Sequence, residues 1–223
     1  MLGKSLLMPS PFAVFERLIH HFPQFAYHLS ATILEMILGM GLAALIAFPL
    51  GYLMARFKTV GMTLQPLFLL VKCMPMFALA PIMLLFFGWS LISIVIPTAL
   101  MIIFPLTINI YRGLLNTKKS YLEYFQVHGA SSWQTFWKLK FPFAMPYIFS
   151  GLRISAGLAA MGAIAGEWAG AQRGLGIYLQ ECRFQFDIEG VFATLFCLLM
   201  MSTLFYGTFI LLEKLVTRRK YET

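Results

Sequence analysis

The amino-acid sequence predicts an all-α polytopic membrane protein with about five transmembrane helices and one cytoplasmic amphipathic helix. Of its 223 residues 60% are hydrophobic and only 12% charged, about half the roughly 25% of an ordinary soluble domain. Long windows carry no charge at all: between Glu35 and Arg56, from Cys73 to Tyr111, and from Gly190 to Leu212. About 20 helical residues cross a hydrocarbon core, so each window holds at least one span. The alternating pattern of a membrane β-barrel is absent.

Taken in order, residues 1–28 are too short for a span and contain Pro9, Pro11 and Pro23 without a secretory cleavage signal, which suits an extracytoplasmic or interfacial segment. A first span covers about 29–55. The long window around Pro81 exceeds one helix and divides at Gly88–Ser90, giving spans near 64–88, which includes Lys72, and 91–111. A fourth span near 146–166 carries only Arg153, a fifth covers 190–213, and 214–223 is a basic tail. The transmembrane domain is therefore 29–213, interrupted by a polar loop over 112–145.

Lys and Arg concentrate on the cytoplasmic side of membrane proteins. One set of loops holds Arg56, Lys58, Arg112, Lys118, Lys119, Lys138, Lys140, Lys214, Arg218, Arg219 and Lys220, eleven in all; the other holds four, Lys4, Arg17, Arg173 and Arg183. The N-terminus is expected outside, and loop 112–145 and the C-terminus in the cytoplasm. Topology and anionic lipid account for the net charge of +8. Nucleic acid is excluded, because the cations are split among loops and form no patch.

Within the loop, "HGASSWQTFWKLKFPFAMP" (His128 to Pro146) has helical spacing. Ser131, Gln134, Thr135 and Lys138 share one face; Ala130, Trp133 and Trp137 share another, with Phe136 beside it. Gly129 provides a turn after a shorter preceding helix, and Pro142 and Pro146 are expected to stop the amphipathic helix and start the next span. By pattern alone, such a helix either docks a partner or lies in the headgroups with Trp and Lys as anchors.

The run "EYFQVHGASSWQTFWKLKFP", Glu123 to Pro142, resembles the EAA loop of bacterial ABC importer permeases: E-A-A, three residues, G, nine residues, then I-x-L-P. Glu123 takes the Glu, Gly129 the Gly, and Leu139, Phe141 and Pro142 the closing positions. Tyr124 and Phe125 depart from the two alanines, and His128 stands where leucine is common. "MPSPFAVFERL", "KCMPMFALAPIMLLFFGWS" and "GEWAGAQRGLGIYL" follow in the order of the sulfonate, taurine, nitrate and thiamine-precursor branch. The resemblance implies a bacterial inner-membrane permease that works as a homodimer with a cytoplasmic ATPase dimer and an extracytoplasmic solute-binding protein. It makes the short helix a coupling helix, with Glu123, His128, Gly129, Ala130, Ser131 and Trp133 as ATPase contacts. Relatives in that branch usually have one more span before the "PSP" segment. That leaves two alternatives, a genuine loss of the span or a start codon placed too far downstream.

No G-x-x-x-x-G-K-[ST] occurs, so ATP is expected on the partner subunit and this chain needs no cofactor, catalytic residue or metal. "GLG", Gly174 to Gly176, reads as a turn outside the membrane. His20, His21 and His28 lack a companion metal-ligand cluster and read as interfacial; Cys73, Cys182 and Cys197 read as packing residues. Lys72 or Arg153 either faces a path and attracts an anion, or snorkels or forms a structural ion pair; Glu35 and Glu167 lie close to span ends. Prolines at 66, 75, 81, 97 and 105 free carbonyls that lipid cannot satisfy, which points to a translocation path along Met74, Pro75, Phe77 and Pro81. Gly151, Gly157, Gly162, Ala156, Ala159, Ala160 and Ala163 form a small-residue surface for close helix contact. Two alternatives are weaker: an enzyme would need converging His, Asp or Glu, and a secondary transporter an internal repeat and an ion-coupling pair.

Overall fold

The computed structural model describes residues 9–72 and 74–221; Lys4, Cys73 and the side chains of 218–220, named above, lie outside what it describes. Those residues form helices α1 (Pro11–His20), α2 (Phe22–Arg56), α3 (Lys58–Lys72), α4 (Met76–Phe87), α5 (Leu91–Leu115), α6 (Lys119–Val127), α7 (Ser132–Thr135), α8 (Phe141–Gly170), α9 (Leu175–Phe184) and α10 (Ile188–Tyr221), with no strand among them. The runs Phe22–Arg56, Leu91–Leu115, Ser132–Gly170 and Ile188–Val216 are each long and apolar enough to cross a bilayer, and α3 and α4 meet that measure only together, bent by 91° as a broken span or a re-entrant loop is. Each helix outruns the apolar window that announces it, because its ends continue into the polar layers where charge is tolerated.

The prolines act unequally. Pro97 and Pro105 lie inside α5 without breaking it, and one turn beyond Pro105 Asn109 Nδ2 donates to the Pro105 carbonyl at 2.8 Å. Among the described residues it is Pro75, extended at φ −70° and ψ 107°, that caps the start of a new helix, α4. Pro142 and Pro146 do not separate a cytoplasmic helix from a span either. A π turn over Phe136–Lys140 joins α7 to α8, so Ser132–Gly170 is one helical run of 39 residues. Pro142 lies just past the π turn, a local widening by which a continuous helix accommodates a residue that lacks an N–H.

The core lies between α2, α5 and α8. Ala156, Ala159, Ala160, Gly162 and Ala163 of α8 are buried, and a methyl group at Gly162 would lie 2.6 Å from Thr98 Cα, an approach only glycine permits. Gly157, from the same expected surface, faces open space. Arg153 is ion-paired with Glu213 at 3.0 Å, joining α8 to α10, while Lys72 Nζ sits over the Phe104 ring at 5.4 Å. The N-terminal segment lies along α10: Val14, Phe15 and Leu18 face Phe192, Leu195 and Leu199 across a groove, and Arg17 pairs with Asp187 at 2.5 Å.

Candidate functional site

One end of the bundle carries the helix pair α6–α7. Helix α6 ends in a Schellman turn: Ala130 N–H donates to Phe125 O (3.0 Å) and Gly129 N–H to Gln126 O (3.0 Å), with Gly129 at φ +68°. That conformation favours glycine, and a Cβ there would meet nothing within 4 Å, so the demand is on the backbone alone. The His128 ring folds back, its Nδ1 2.8 Å from Tyr124 O and its centroid 4.1 Å from the Tyr124 ring. Ser131 then opens α7 with a capping box: its Oγ accepts from Gln134 N–H (3.2 Å), and its own N–H donates to Gln134 Oε1 (2.9 Å), satisfying two otherwise orphaned donors.

Two caps and a continuous helix into α8 make 119–170 a stiff crank. Phe136 meets Tyr52 of α2 edge-on at 5.0 Å, and Ala130 lines a cavity of about 320 Å³ beside Arg56 and Leu114. Outward, Trp133 is 70% exposed and stacks edge-on with Trp137 at 5.5 Å, while Val127 and Tyr124 are also exposed. Such a patch marks a contact surface. Glu123 is exposed and lies 3.6 Å from Lys119 Nζ, a pairing of little energetic weight. The structure thus places Glu123, His128, Gly129, Ala130, Ser131 and Trp133 within one compact unit.

The residues expected along a path lie elsewhere. Pro75 forms the elbow before α4, Met74 precedes it, and both are exposed, as is Pro81. Phe77 is exposed on one side and lies 5.5 Å from the Trp168 ring of α8 on the other.

At the far end of the bundle lies a polar hub that no local pattern announced. Glu167, fully buried near the end of α8, accepts from Thr32 Oγ1 of α2 at 2.6 Å, from Gly176 N–H and from Ile177 N–H at 3.3 Å. The turn over 171–174 and the first N–H groups of α9 therefore close on the Glu167 carboxyl, which takes donors that a helix N-terminus otherwise leaves unpaired. Gly174 (φ +141°) packs so closely that a Cβ would fall on the Glu167 carboxyl. Thr32 also accepts from Leu175 N–H at 2.8 Å. The Trp168 indole donates to Gly176 O at 2.9 Å.

His28 is buried here, not interfacial: its Nδ1 lies 3.1 Å from Gly174 O and 3.2 Å from Gly174 N, and its ring stacks on Tyr178 at 4.7 Å. Burial pushes the Tyr178 hydroxyl up to about 12 and raises the neighbouring Cys182 thiol as well. Glu35, 2% exposed, lies against Glu167. Beside it a cavity of about 400 Å³ is lined by Tyr27, Trp89, Ser90, Gln172 and Arg173 among others. His28, Glu35 and Glu167 thus converge, yet among the described residues no three His, Cys, Asp or Glu side chains could hold a metal ion.

Comparison with known proteins bears on both ends. Residues 47–221 match the family described as binding-protein-dependent transport system inner membrane component. The chain is 37% identical over 217 residues, 97% of its length and 87% of the relative's, to a formylaminopyrimidine transport permease protein of Halalkalibacterium halodurans. It is 28% identical to a putative aliphatic sulfonates transport permease protein of Bacillus subtilis, over 98% of this chain and 80% of that one. It is 31% identical to the riboflavin transport system permease protein of Chloroflexus aurantiacus, over 74% and 61%. Among solved structures, an inward-facing MetNI methionine ABC transporter shares the fold, with a TM-score of 0.72 at 16% identity over 94% of this chain and 99% of that one.

Proposed function

The chain belongs to the family of binding-protein-dependent transport system inner membrane components, an ABC permease with several membrane-spanning helices, and from that premise we propose that it forms the translocation path of an ATP-driven importer for a small solute. The observation that carries this reading is the α6–α7 unit, capped on both sides of its Gly129 turn, with Trp133 exposed on its outer face, and continuous with the buried helix α8. A partner that grips Trp133 and its neighbours moves α8 as a rigid body, because no flexible joint lies between.

The partner is a cytoplasmic ATPase dimer, and Glu123, His128, Gly129, Ala130, Ser131 and Trp133 are its contact region. The chain itself catalyses no covalent chemistry; ATP is hydrolysed on the partner. ATP binding closes the ATPase dimer, draws the coupling helices of two permease copies together and opens the path outward; hydrolysis resets it. The path runs along Met74, Pro75, Phe77 and Pro81, where the bend between α3 and α4 leaves one face uncovered within a single subunit. A solute-binding protein delivers the solute at the far end, which is extracytoplasmic, and α10 ends in the cytoplasm. The relatives' named solutes include a formylaminopyrimidine and aliphatic sulfonates, and the solute here is of that size.

Co-purification tests the reading: an ATPase expressed with this chain comes down with it, and is lost on deleting residues 123–137. Retention of the ATPase by the deleted chain, shown to remain folded, refutes the contact assignment.

A further inference from the structure

The cavity of about 320 Å³ beside the α6–α7 unit carries a charge that docking a partner does not use. Arg56, at the end of α2, and Lys140, at the end of the π turn, both line it, and no acidic side chain does. Among the described residues neither cation belongs to an ion pair. The side chains of Gln126 and Ser132 add neutral donors to the same wall, and the capping box of the turn leaves them free, since it engages Ser131 and Gln134. Two cations and two neutral donors without an acid make an uncompensated positive pocket. A phosphate ester answers it, because its oxygens accept from a guanidinium fork and an ammonium together.

We infer that this pocket holds the phosphate headgroup of an anionic phospholipid from the leaflet on that side of the membrane. A phosphate comes either from lipid or from solution, and α2 favours the lipid. Leu38, Leu45 and Tyr52 recur every seven residues, so they share one stripe of the helix, and all three are exposed. Tyr52 is also a wall of the pocket. The stripe therefore leads from the pocket along a helix long enough to cross the bilayer, a track for an acyl chain whose headgroup sits between Arg56 and Lys140. Basic pockets between membrane helices at the cytoplasmic surface take anionic headgroups in this way. A headgroup gripped from both sides ties the end of α2 to the helical run Ser132–Gly170, and so braces the α6–α7 unit against its neighbouring span. That role, and the assignment of the pocket to the cytoplasmic leaflet, rest on the importer reading; binding itself is measured without it.

The test is native mass spectrometry of the full chain, delipidated in detergent and titrated with dioleoylphosphatidylglycerol, dioleoylphosphatidylcholine or inorganic phosphate. One phosphatidylglycerol is expected to bind at least about fivefold more tightly than phosphatidylcholine, whose choline cation opposes the pocket, and about 10 mM inorganic phosphate should not displace it. Arg56→Gln and Lys140→Gln each weaken binding about fivefold and the double variant about 25-fold. Lys58→Gln, two residues beyond Arg56 but outside the pocket, stays within about twofold. If the double variant proves polydisperse, Ser132→Asp, at an exposed position in the first turn of α7, puts a carboxylate on the pocket wall and is expected to abolish the preference instead. The inference is overturned if the wild type binds the two lipids alike, if a monodisperse double variant or Ser132→Asp keeps the preference, or if Lys58→Gln loses as much as Arg56→Gln. Displacement by inorganic phosphate would overturn it too, by making soluble phosphate the occupant. A chain that binds phosphatidylglycerol as described but recovers no ATPase upholds the inference and counts against the importer reading alone.

Discussion

Replacing Gly174 by alanine strikes the hub at its tightest point. Gly174 has φ +141° and ψ 159°, a region essentially reserved for glycine, so a side chain there costs about 1–3 kcal/mol in backbone strain alone. Its Cβ would also fall on the Glu167 carboxyl. Either the turn or the carboxylate must move, and the bonds from Thr32, Gly176 and Ile177 cannot all survive. Leaving one buried donor or acceptor unsatisfied costs about 1–3 kcal/mol, so losing even one of these bonds brings the total to about 2–6 kcal/mol. At about 2–4 °C per kcal/mol for a chain of this size, Tm should fall by roughly 4–24 °C. The assay is intrinsic tryptophan fluorescence on heating in detergent, with Gly157→Ala as the internal control. Gly157 lies in the same region of sequence but faces open space within α8, and alanine there should stabilise by about 0.5–1 kcal/mol. If Gly174→Ala melts within about 2 °C of wild type, the claim that Glu167 holds this turn shut is wrong.

Phe186 occupies the left-handed position that ends α9, at φ 56° and 88% exposed, with Asp187 N–H donating to Cys182 O at 2.9 Å; Phe186→Gly should therefore raise stability by about 1 kcal/mol, and a lower Tm would contradict this account of the turn. Gly129→Val places a β-branched residue at φ +68°, so the α6–α7 turn should distort and ATP-dependent uptake fall while the transmembrane helices stay folded; survival of both uptake and ATPase binding would sink the coupling assignment. Arg153→Met breaks the Arg153–Glu213 pair and should cost about 2–4 kcal/mol, with Arg153→Met/Glu213→Leu recovering at least half; equal losses in single and double variants would refute the pairing as the cause.

The membrane-crossing helices were readable in the sequence because lipid imposes one rule, the exclusion of charge over about 20 residues, and the windows after Glu35, Cys73 and Gly190 obey it. The glycine turn at Gly129 was equally readable. The Ser131–Gln134 capping box carries an S-x-x-Q signal that went unused. The π turn was not visible, since Pro142 alone argues for a stop and only the backbone shows the helix widening just ahead of it. The far hub was hidden for a different reason. Thr32 and Glu167 are 135 residues apart, and two acids such as Glu35 and Glu167 are not partners by simple charge matching. His28 was grouped with His20 and His21 by proximity in sequence, yet α2 carries it onto Gly174 and Tyr178. The GLG run was read as a turn, yet only Gly174 lies in the turn while Leu175 and Gly176 open α9, and the role of their N–H side, to meet a buried carboxyl, depends on a residue from the preceding helix.

The most direct measurement of the central claim is solute uptake into proteoliposomes holding this chain and its ATPase, with the loaded solute-binding protein outside. The account predicts uptake only when ATP is enclosed, and its loss when the ATPase is omitted. Uptake driven by a proton or sodium gradient without ATP would contradict it.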